Sequence, residues 1–117
     1  MTAKVGEEKD IRWVGSSYDD LLAFPTTPRR EAGFQLGKVQ AGLEPSGWKP
    51  FDEVGAGTRE IRIGDAKGIF RVMYVAKFEE AVYVLHCFQK KTQATSKQDK
   101  DIAAARYRAV VSARKGK

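Results

Sequence analysis

The chain has 117 residues, of which 42% are hydrophobic and 31% are charged, so we expect one globular domain and exclude two ordinary ones. No apolar run approaches the roughly 20 residues of a membrane helix, and residues 1–10 lack the apolar core of a secretory signal. A single cysteine cannot form an internal disulfide. The missing signal and the single cysteine predict a cytoplasmic protein, and the missing apolar run predicts that it does not bind a membrane.

Positive charge is concentrated in the second half of the chain. Residues 1–57 contain seven basic and nine acidic residues, whereas residues 58–117 contain fourteen and six, and the net charge is +6. Residues 89–117 alone contain nine basic and two acidic residues. Such a segment is typical of proteins that bind nucleic acid, although a solvated basic helix has the same composition.

The first half of the chain predicts one strand and two helices within a single domain, 1–117. Residues 1–10 are expected to be a flexible N-terminus, followed by a strand over residues 11–15 and a short helix over residues 17–24. A second helix should begin at Thr27 and end before Gly42, because Ala32, Leu36 and Val39 recur at helical spacing. Residues 44–57 are rich in Gly and Pro and predict an ordered connector.

The second half predicts a three-stranded meander over residues 58–93 and then a basic helix. Side chains alternate between the two faces of a strand, so Glu60 and Arg62 should share one face. If Ile63 pairs with Phe70, Arg62 lies opposite Arg71. Residues 96–114 predict an alanine-rich helix that is capped by a serine hydroxyl and has one stripe of small side chains: Ser96 is the cap, and Ile102, Ala105, Ala109 and Ala113 form the stripe.

Cationic side chains within strands are the main chemical signal of the sequence. If Val75 pairs with Val82, His86 lies opposite Arg71 on the face that carries Arg62. Two opposed arginines are unfavourable without a counterion, and a bound phosphate would reverse that effect. The alternative is that Glu60 neutralises an arginine and the polar face is structural.

His86 is the only histidine, and it is either a half-buried structural residue or an acid or base that transfers protons near neutral pH. Cys87 should face away from His86 and fill the core. One cysteine and one histidine, without a carboxylate cluster, predict no metal site and no cofactor.

The segments REIRI (59–63), FRVMYV (70–75) and YVLHCFQKKTQ (83–93), with the basic helix that follows, resemble the RelE/HigB-like toxins of bacterial type II toxin–antitoxin systems, in particular their phage-derived branch. The resemblance implies an α+β, RelE-like fold in which two N-terminal helices pack on a twisted, mainly antiparallel sheet, with a basic C-terminal helix. It also implies an endoribonuclease that cleaves mRNA on the ribosome, without metal, by attack of a 2′-hydroxyl on the adjacent phosphate. The implied partners are mRNA, the ribosome and a cognate helix-turn-helix antitoxin.

The resemblance and the strand pattern together suggest eight site residues. The catalytic candidates are Arg62, Arg71, His86 and Lys91, and the RNA-binding candidates are Arg59, Lys90, Gln93 and Lys97. Some relatives place a tyrosine near the C-terminus to contact the substrate, whereas Tyr107 lies within the last predicted helix. Two other functions stay open: an RNA- or protein-binding module that keeps the fold without the chemistry, and a phage-related structural protein. The sequence does not fix the oligomeric state.

Overall fold

The computed structural model describes residues 8–90 and 94–116, which form a five-stranded sheet with helices on both faces. The strands lie in the order β1-β5-β4-β3-β2, in which β1 is parallel to β5 and the other neighbours are antiparallel. The predicted α+β class with a mainly antiparallel sheet is confirmed. In chain order the elements are β1 (Asp10–Trp13), α1 (Ser17–Leu22), α2 (Thr26–Gln40), β2 (Trp48–Pro50), β3 (Thr58–Asp65), β4 (Gly68–Val75), β5 (Ala81–Lys90) and α3 (Lys97–Lys115).

The two N-terminal helices cover one face of the sheet. Ala32, Leu36 and Val39 of α2 are buried against apolar side chains of β3 and β4, as their helical spacing predicts. Full burial of such a leucine or valine contributes about 1.5–3 kcal/mol, so this face supplies much of the stability. We call it the α1/α2 face.

The C-terminal helix covers the opposite face, which we call the α3 face. The Asp99 N–H donates to Ser96 Oγ at 3.1 Å, so the predicted serine cap is confirmed. Ala103 and Val110 are the buried residues of α3, and they pack against a cluster that includes Leu85. The predicted stripe is wrong, because three of its four members are exposed and the fourth is only partly buried.

The register of β3 against β4 agrees with the prediction, whereas that of β4 against β5 does not. Ile63 pairs with Phe70, and Arg62 lies opposite Arg71. Arg71 lies opposite Phe88, however, so the predicted pairing of Arg71 with His86 is wrong.

A β-bulge explains the changed register. Met73 pairs with His86 and Tyr74 pairs with Val84, which leaves Leu85 as an extra residue on β5. A bulge of this kind puts two residues opposite one and interrupts the alternation of faces. His86 still lies on the α3 face because it is two residues from Phe88, the residue opposite Arg71.

The first described residues are tied to the rest of the domain. Lys9 Nζ donates to the carbonyl oxygens of Ala76 and Phe78 at 2.6 and 2.9 Å. Asp10 already belongs to β1, although residues 1–10 were expected to be flexible. Residues 1–7 lie outside the described part of the chain. None of the helices within residues 8–90 and 94–116 is long and apolar enough to cross a membrane.

Candidate anion-binding site

A buried ion pair between neighbouring strands lies at the centre of the site. Arg71 of β4 donates through Nη1 to Glu60 Oε1 of β3, and the two residues are 3% and 0% exposed. Thr95 Oγ1 donates to the second carboxylate oxygen, Glu60 Oε2, at 3.3 Å. Of the two interpretations of this face, the one in which Glu60 neutralises an arginine therefore applies to Arg71.

Three further cations surround this pair. Lys49 Nζ of β2 is 3.8 Å from Glu60 Oε1, and Lys49 is directly opposite Glu60 in the sheet. The pKa of Lys90 is lowered, first by burial and then by the positive charge of Arg71; Glu60 opposes this shift, and Lys49 and Arg62 add smaller lowering effects. These four basic side chains around one carboxylate, Lys49, Arg62, Arg71 and Lys90, are the cationic cluster.

The cluster has an excess of positive charge that its own carboxylate does not balance. Among the described residues, no other carboxylate forms an ion pair with any of its four cations. Lys49 and Arg62 are exposed and Lys90 is half-buried, so an anion from solvent can reach them. Basic side chains at this density favour a phosphate, which arginine binds through two N–H groups and lysine as a point charge.

Arg71 also has a donor that this network leaves unused. Its Nε is buried and has no hydrogen-bond acceptor in residues 8–90 and 94–116. A buried donor without an acceptor costs about 1–3 kcal/mol, so acceptors are normally supplied to such groups. The unused Nε–H is a second observation, beside the excess charge, that favours an anionic ligand at this point of the sheet.

His86 is enclosed between β5 and the start of α3. Its side chain is buried, its Nε2 is 2.8 Å from Asp99 Oδ1, and its ring stacks on Phe88 with centroids 4.7 Å apart. The other oxygen of Asp99 accepts a hydrogen bond from Ser96 Oγ at 2.8 Å. His86 thus connects the sheet to the capped end of α3, and solvent has little access to its ring.

The remaining predicted site residues are not all at the cluster. Arg59 lies on the α1/α2 face, where its guanidinium is 4.0 Å from the ring centroid of Trp48 and 3.4 Å from Glu44. Lys97 is exposed and pairs with Asp101 one turn along α3. Lys91 and Gln93 lie outside the described residues. The structure therefore brings together Arg62, Arg71 and Lys90.

Lys49 is the member of the cluster that the sequence did not indicate. It lies in WKP, within the Gly- and Pro-rich segment that predicted a connector and that contains the short edge strand β2. The only available signal was its position between Trp48 and Pro50, which puts it on the face opposite the tryptophan if this segment is extended.

Tyr107 and Cys87 have structural positions. The Tyr107 hydroxyl donates to the carbonyl oxygen of Ala56 at 2.6 Å, and its ring lies against Gly55, where a Cβ would be 2.4 Å away. Cys87 is buried on the α1/α2 face, as predicted, and burial raises its pKa far above the usual range. In the part of the chain that the structure describes, no group of three or more His, Cys, Asp or Glu side chains could hold a metal ion.

The fold and the cluster define a small α+β protein with a cationic site on the α3 face of its sheet. The chain belongs to the family described as Phage derived protein Gp49-like (DUF891), whose model matches residues 19–108. This is a toxin family of type II toxin–antitoxin systems, so the phage-derived part of the predicted resemblance is confirmed. No curated protein matches the chain.

Proposed function

We propose that the chain is the toxin of a toxin–antitoxin system, with a RelE-like fold, and that it is a ribosome-dependent mRNA endonuclease. The observation that carries this proposal is the cationic cluster, which contains four basic side chains and one carboxylate and in which Arg71 Nε–H has no acceptor among residues 8–90 and 94–116. Membership of the Gp49-like family supports the toxin assignment. The mRNA in the ribosomal A site supplies the phosphate, and the proposal requires no cofactor.

The proposed reaction is attack of a ribose 2′-hydroxyl on the adjacent phosphate. The O2′–P bond forms, the P–O5′ bond breaks, and the products are a 2′,3′-cyclic phosphate and a 5′-hydroxyl. Arg62 and Lys49 are exposed and would contact the non-bridging oxygens, on which negative charge increases in the transition state. The Nε–H of Arg71 would donate to the same phosphate while Glu60 holds the guanidinium in place.

Lys90 is the described residue best suited to transfer a proton in this reaction. Burial and the nearby Arg71 lower its pKa, which is the direction that favours proton transfer by an amine. A neutral Lys90 can accept the proton of the 2′-hydroxyl, and the resulting ammonium can return a proton to the O5′ leaving group. Lys91, the next residue, stays a predicted second participant.

His86 has a positioning role in this proposal. Its Nε2 is directed at Asp99, so the ring orients the start of α3 beside the end of β5. A helix-turn-helix antitoxin would neutralise the toxin in the cytoplasm.

Induced expression in bacteria tests the proposal. We expect growth arrest and cleaved transcripts with the wild type, and normal growth with intact transcripts for Arg62→Ala and Lys90→Ala. Arg59→Ala is the matched control, because Arg59 lies on the same strand as Arg62 but on the other face of the sheet, and it should stay toxic. Normal growth and intact transcripts with the wild type would refute the endonuclease, as would toxicity that all three variants retain.

The enclosed His86 favours a second candidate function. Because the only histidine is buried against Asp99, the fold could bind RNA through the cluster without cleaving it. In that case, purified protein would bind RNA with a strong salt dependence and leave transcripts on translating ribosomes intact. Cleavage that depends on Lys90 would exclude this alternative.

A further inference from the structure

β5 has an open edge beyond the point where β1 ends. β1 pairs with β5 only as far as Val84, and β5 continues to Lys90. In the sheet that the described residues form, β4 occupies one side of this last part of β5 and no strand lies on the other side. One row of backbone groups is therefore left without a neighbouring strand.

The pairing of the inner strands determines which backbone groups this edge presents. The Arg62 N–H donates to the Gly47 carbonyl oxygen at 3.0 Å, so Arg62 directs its backbone groups away from β4. Arg71 lies opposite Arg62 and therefore exchanges its backbone hydrogen bonds with Phe88 of β5. Because this direction alternates along a strand, the neighbours of Phe88 direct their N–H and C=O groups to the open edge. These neighbours are Cys87 and Gln89.

A cavity of about 350 Å³ opens at this edge. Its volume lies within the roughly 300–1,000 Å³ of small-molecule sites. Beside the edge of β5, the turn between α1 and α2 lines it, and there Ala23 is exposed and Pro25 is half-buried. His86 also lines the cavity, is 6% exposed, and has an Nδ1 without a hydrogen-bond partner in residues 8–90 and 94–116. Such a lining suits a flat ligand that carries polar atoms on its rim.

Asp20 supplies a carboxylate to the same cavity. Its Oδ2 accepts a hydrogen bond from Ser16 Oγ at 2.8 Å, whereas its Oδ1 accepts none from the residues described. Asp20 lies near Cys87, because its charge adds to burial in raising the pKa of that thiol, an effect that Arg106 opposes. The edge thus presents two acceptors, the Asp20 carboxylate and the Cys87 C=O, and then one donor, the Gln89 N–H.

Guanine is the base whose edge complements these groups. Neighbouring positions of that edge carry two donors, the N2 amino group and N1–H, and one acceptor, O6. The amino group would face Asp20, N1–H the Cys87 carbonyl oxygen, and O6 the Gln89 N–H. At the position of the amino group, adenine has a C–H and the pyrimidines have a carbonyl oxygen, which the carboxylate would repel. The donors and acceptors of the cavity therefore select guanine.

The cavity adjoins the cationic cluster. Phe88 and Gln89 line the cavity, Arg71 lies opposite Phe88, and Lys90 follows Gln89. Neighbouring strands are about 5 Å apart, so a nucleotide whose phosphate binds the cluster can place its base at the edge of β5. The open edge has only two outward-facing residues, which match one base, whereas an added strand would need a longer edge.

We propose that the open edge of β5 and this cavity bind a guanine base of RNA. The guanine amino group donates to Asp20, N1–H donates to the Cys87 carbonyl oxygen, and O6 accepts from the Gln89 N–H. The assignment of this base to the nucleotide beside the cleaved phosphate rests on the proposed function.

Binding of nucleoside monophosphates to the full chain tests the site. We expect guanosine monophosphate to bind saturably and to shift the amide resonances of Cys87 and Gln89 in NMR spectra. Inosine monophosphate lacks only the amino group and should bind about tenfold more weakly. Asp20→Asn should remove this difference, because its one oxygen accepts from Ser16 and its NH2 group would face the guanine amino group. Asp19→Asn, at an exposed position outside the cavity, should retain the difference.

A second pair of variants tests the cavity itself. Ala23→Phe fills the cavity and should weaken the binding of guanosine monophosphate about tenfold or more. Ala41→Phe, at an exposed position outside the cavity, should leave that binding unchanged. The proposal would be overturned by equal binding of the two nucleotides to the wild type, by no binding of guanosine monophosphate, by unshifted Cys87 and Gln89 amides, or by equal effects of the two phenylalanine variants.

The nucleotides also separate this site from the proposed nuclease. Arg62 lies outside the cavity, so Arg62→Ala should weaken the binding of both nucleotides through their phosphate and retain the preference for guanosine monophosphate. Selective binding of guanosine monophosphate without transcript cleavage would refute the nuclease and leave the base site intact. Transcript cleavage by a protein that binds both nucleotides equally would support the nuclease and overturn the base site.

Discussion

Replacement of Glu60 by glutamine removes the carboxylate around which the cationic cluster is arranged. The change keeps the size of the side chain and one oxygen that can still accept from Arg71, while the amide NH2 replaces the oxygen that accepts from Thr95, and it leaves a buried guanidinium without a counter-charge. Lys49 loses its nearest described carboxylate as well. The variant therefore tests mainly the loss of charge on this face of the sheet, with the Thr95 hydrogen bond as the one other contact that changes.

The expected loss of stability is large. Removal of one partner from a buried ion pair costs about 3–5 kcal/mol, and Glu60 and Arg71 are both almost fully enclosed. Because glutamine retains a hydrogen-bond acceptor, we expect the lower end, about 3 kcal/mol. With a urea dependence of about 2 kcal/mol/M, the unfolding midpoint should fall by about 1.5 M.

Urea unfolding followed by tryptophan fluorescence measures this effect, and Glu79→Gln is the control. Glu79 is an exposed carboxylate in the loop before β5, so its replacement should change stability by no more than about 0.5 kcal/mol. Addition of inorganic phosphate at constant ionic strength should stabilise Glu60→Gln more than the wild type, because the anion replaces the missing charge. A loss below about 1 kcal/mol, or one equal to that of Glu79→Gln, would refute the reasoning.

Three further predictions concern Cys87, Gly55 and Glu80. Cys87 should not react with a thiol reagent at pH 8 in the native protein, because burial raises its pKa, and it should react rapidly in urea. Gly55→Ala should destabilise the protein by about 1–3 kcal/mol in urea unfolding, because the new Cβ would lie 2.4 Å from the Tyr107 ring. The pKa of Glu80 is lowered below its ordinary 4.5, mainly by a hydrogen bond from Arg114, so this group stabilises the fold above that pH. The difference in urea unfolding midpoint between wild type and Glu80→Gln should therefore be present at pH 7 and shrink as the pH falls below 4.5.

Each of these predictions has a control or a contradicting result. Gly37→Ala adds a methyl group in α2 where nothing lies within 4 Å, so it should be neutral or stabilising, and a loss equal to that of Gly55→Ala would contradict steric contact as the cause. Equal rates of reaction of Cys87 with the thiol reagent in native and unfolded protein would show that the thiol is accessible. A Glu80 effect that does not change with pH would show that it does not arise from the ionised carboxylate.

The sequence predicted those parts of the fold that depend on local pattern. Ala32, Leu36 and Val39 identified the buried face of α2, and Ser96 identified the start of α3, because both signals act within a few residues. The register of Ile63 against Phe70 was also predictable, since only Ala66 and Lys67 separate the two strands and a turn this short fixes the pairing.

The rest depended on contacts between distant segments. Five residues separate β4 from β5, and the extra Leu85 shifts the pairing, so nothing local revealed that Arg71 would lie opposite Phe88. The burial of His86 depends on where α3 crosses the sheet. The sequence indicated Glu60 as a possible partner of an arginine but could not decide between an ion pair and an anion site, and the structure contains the ion pair within a wider cationic cluster.

The bulge in β5 also determines where the length of this strand can change. Deletion of Leu85 would join Val84 directly to His86, and the pairs Met73–His86 and Tyr74–Val84 would become consecutive rungs of a regular ladder. A deletion between positions 86 and 90 would instead reverse the direction of every later side chain and remove Lys90 from the cluster. Homologous chains are therefore expected to vary in length at position 85, and an alignment of the family should place its gap there.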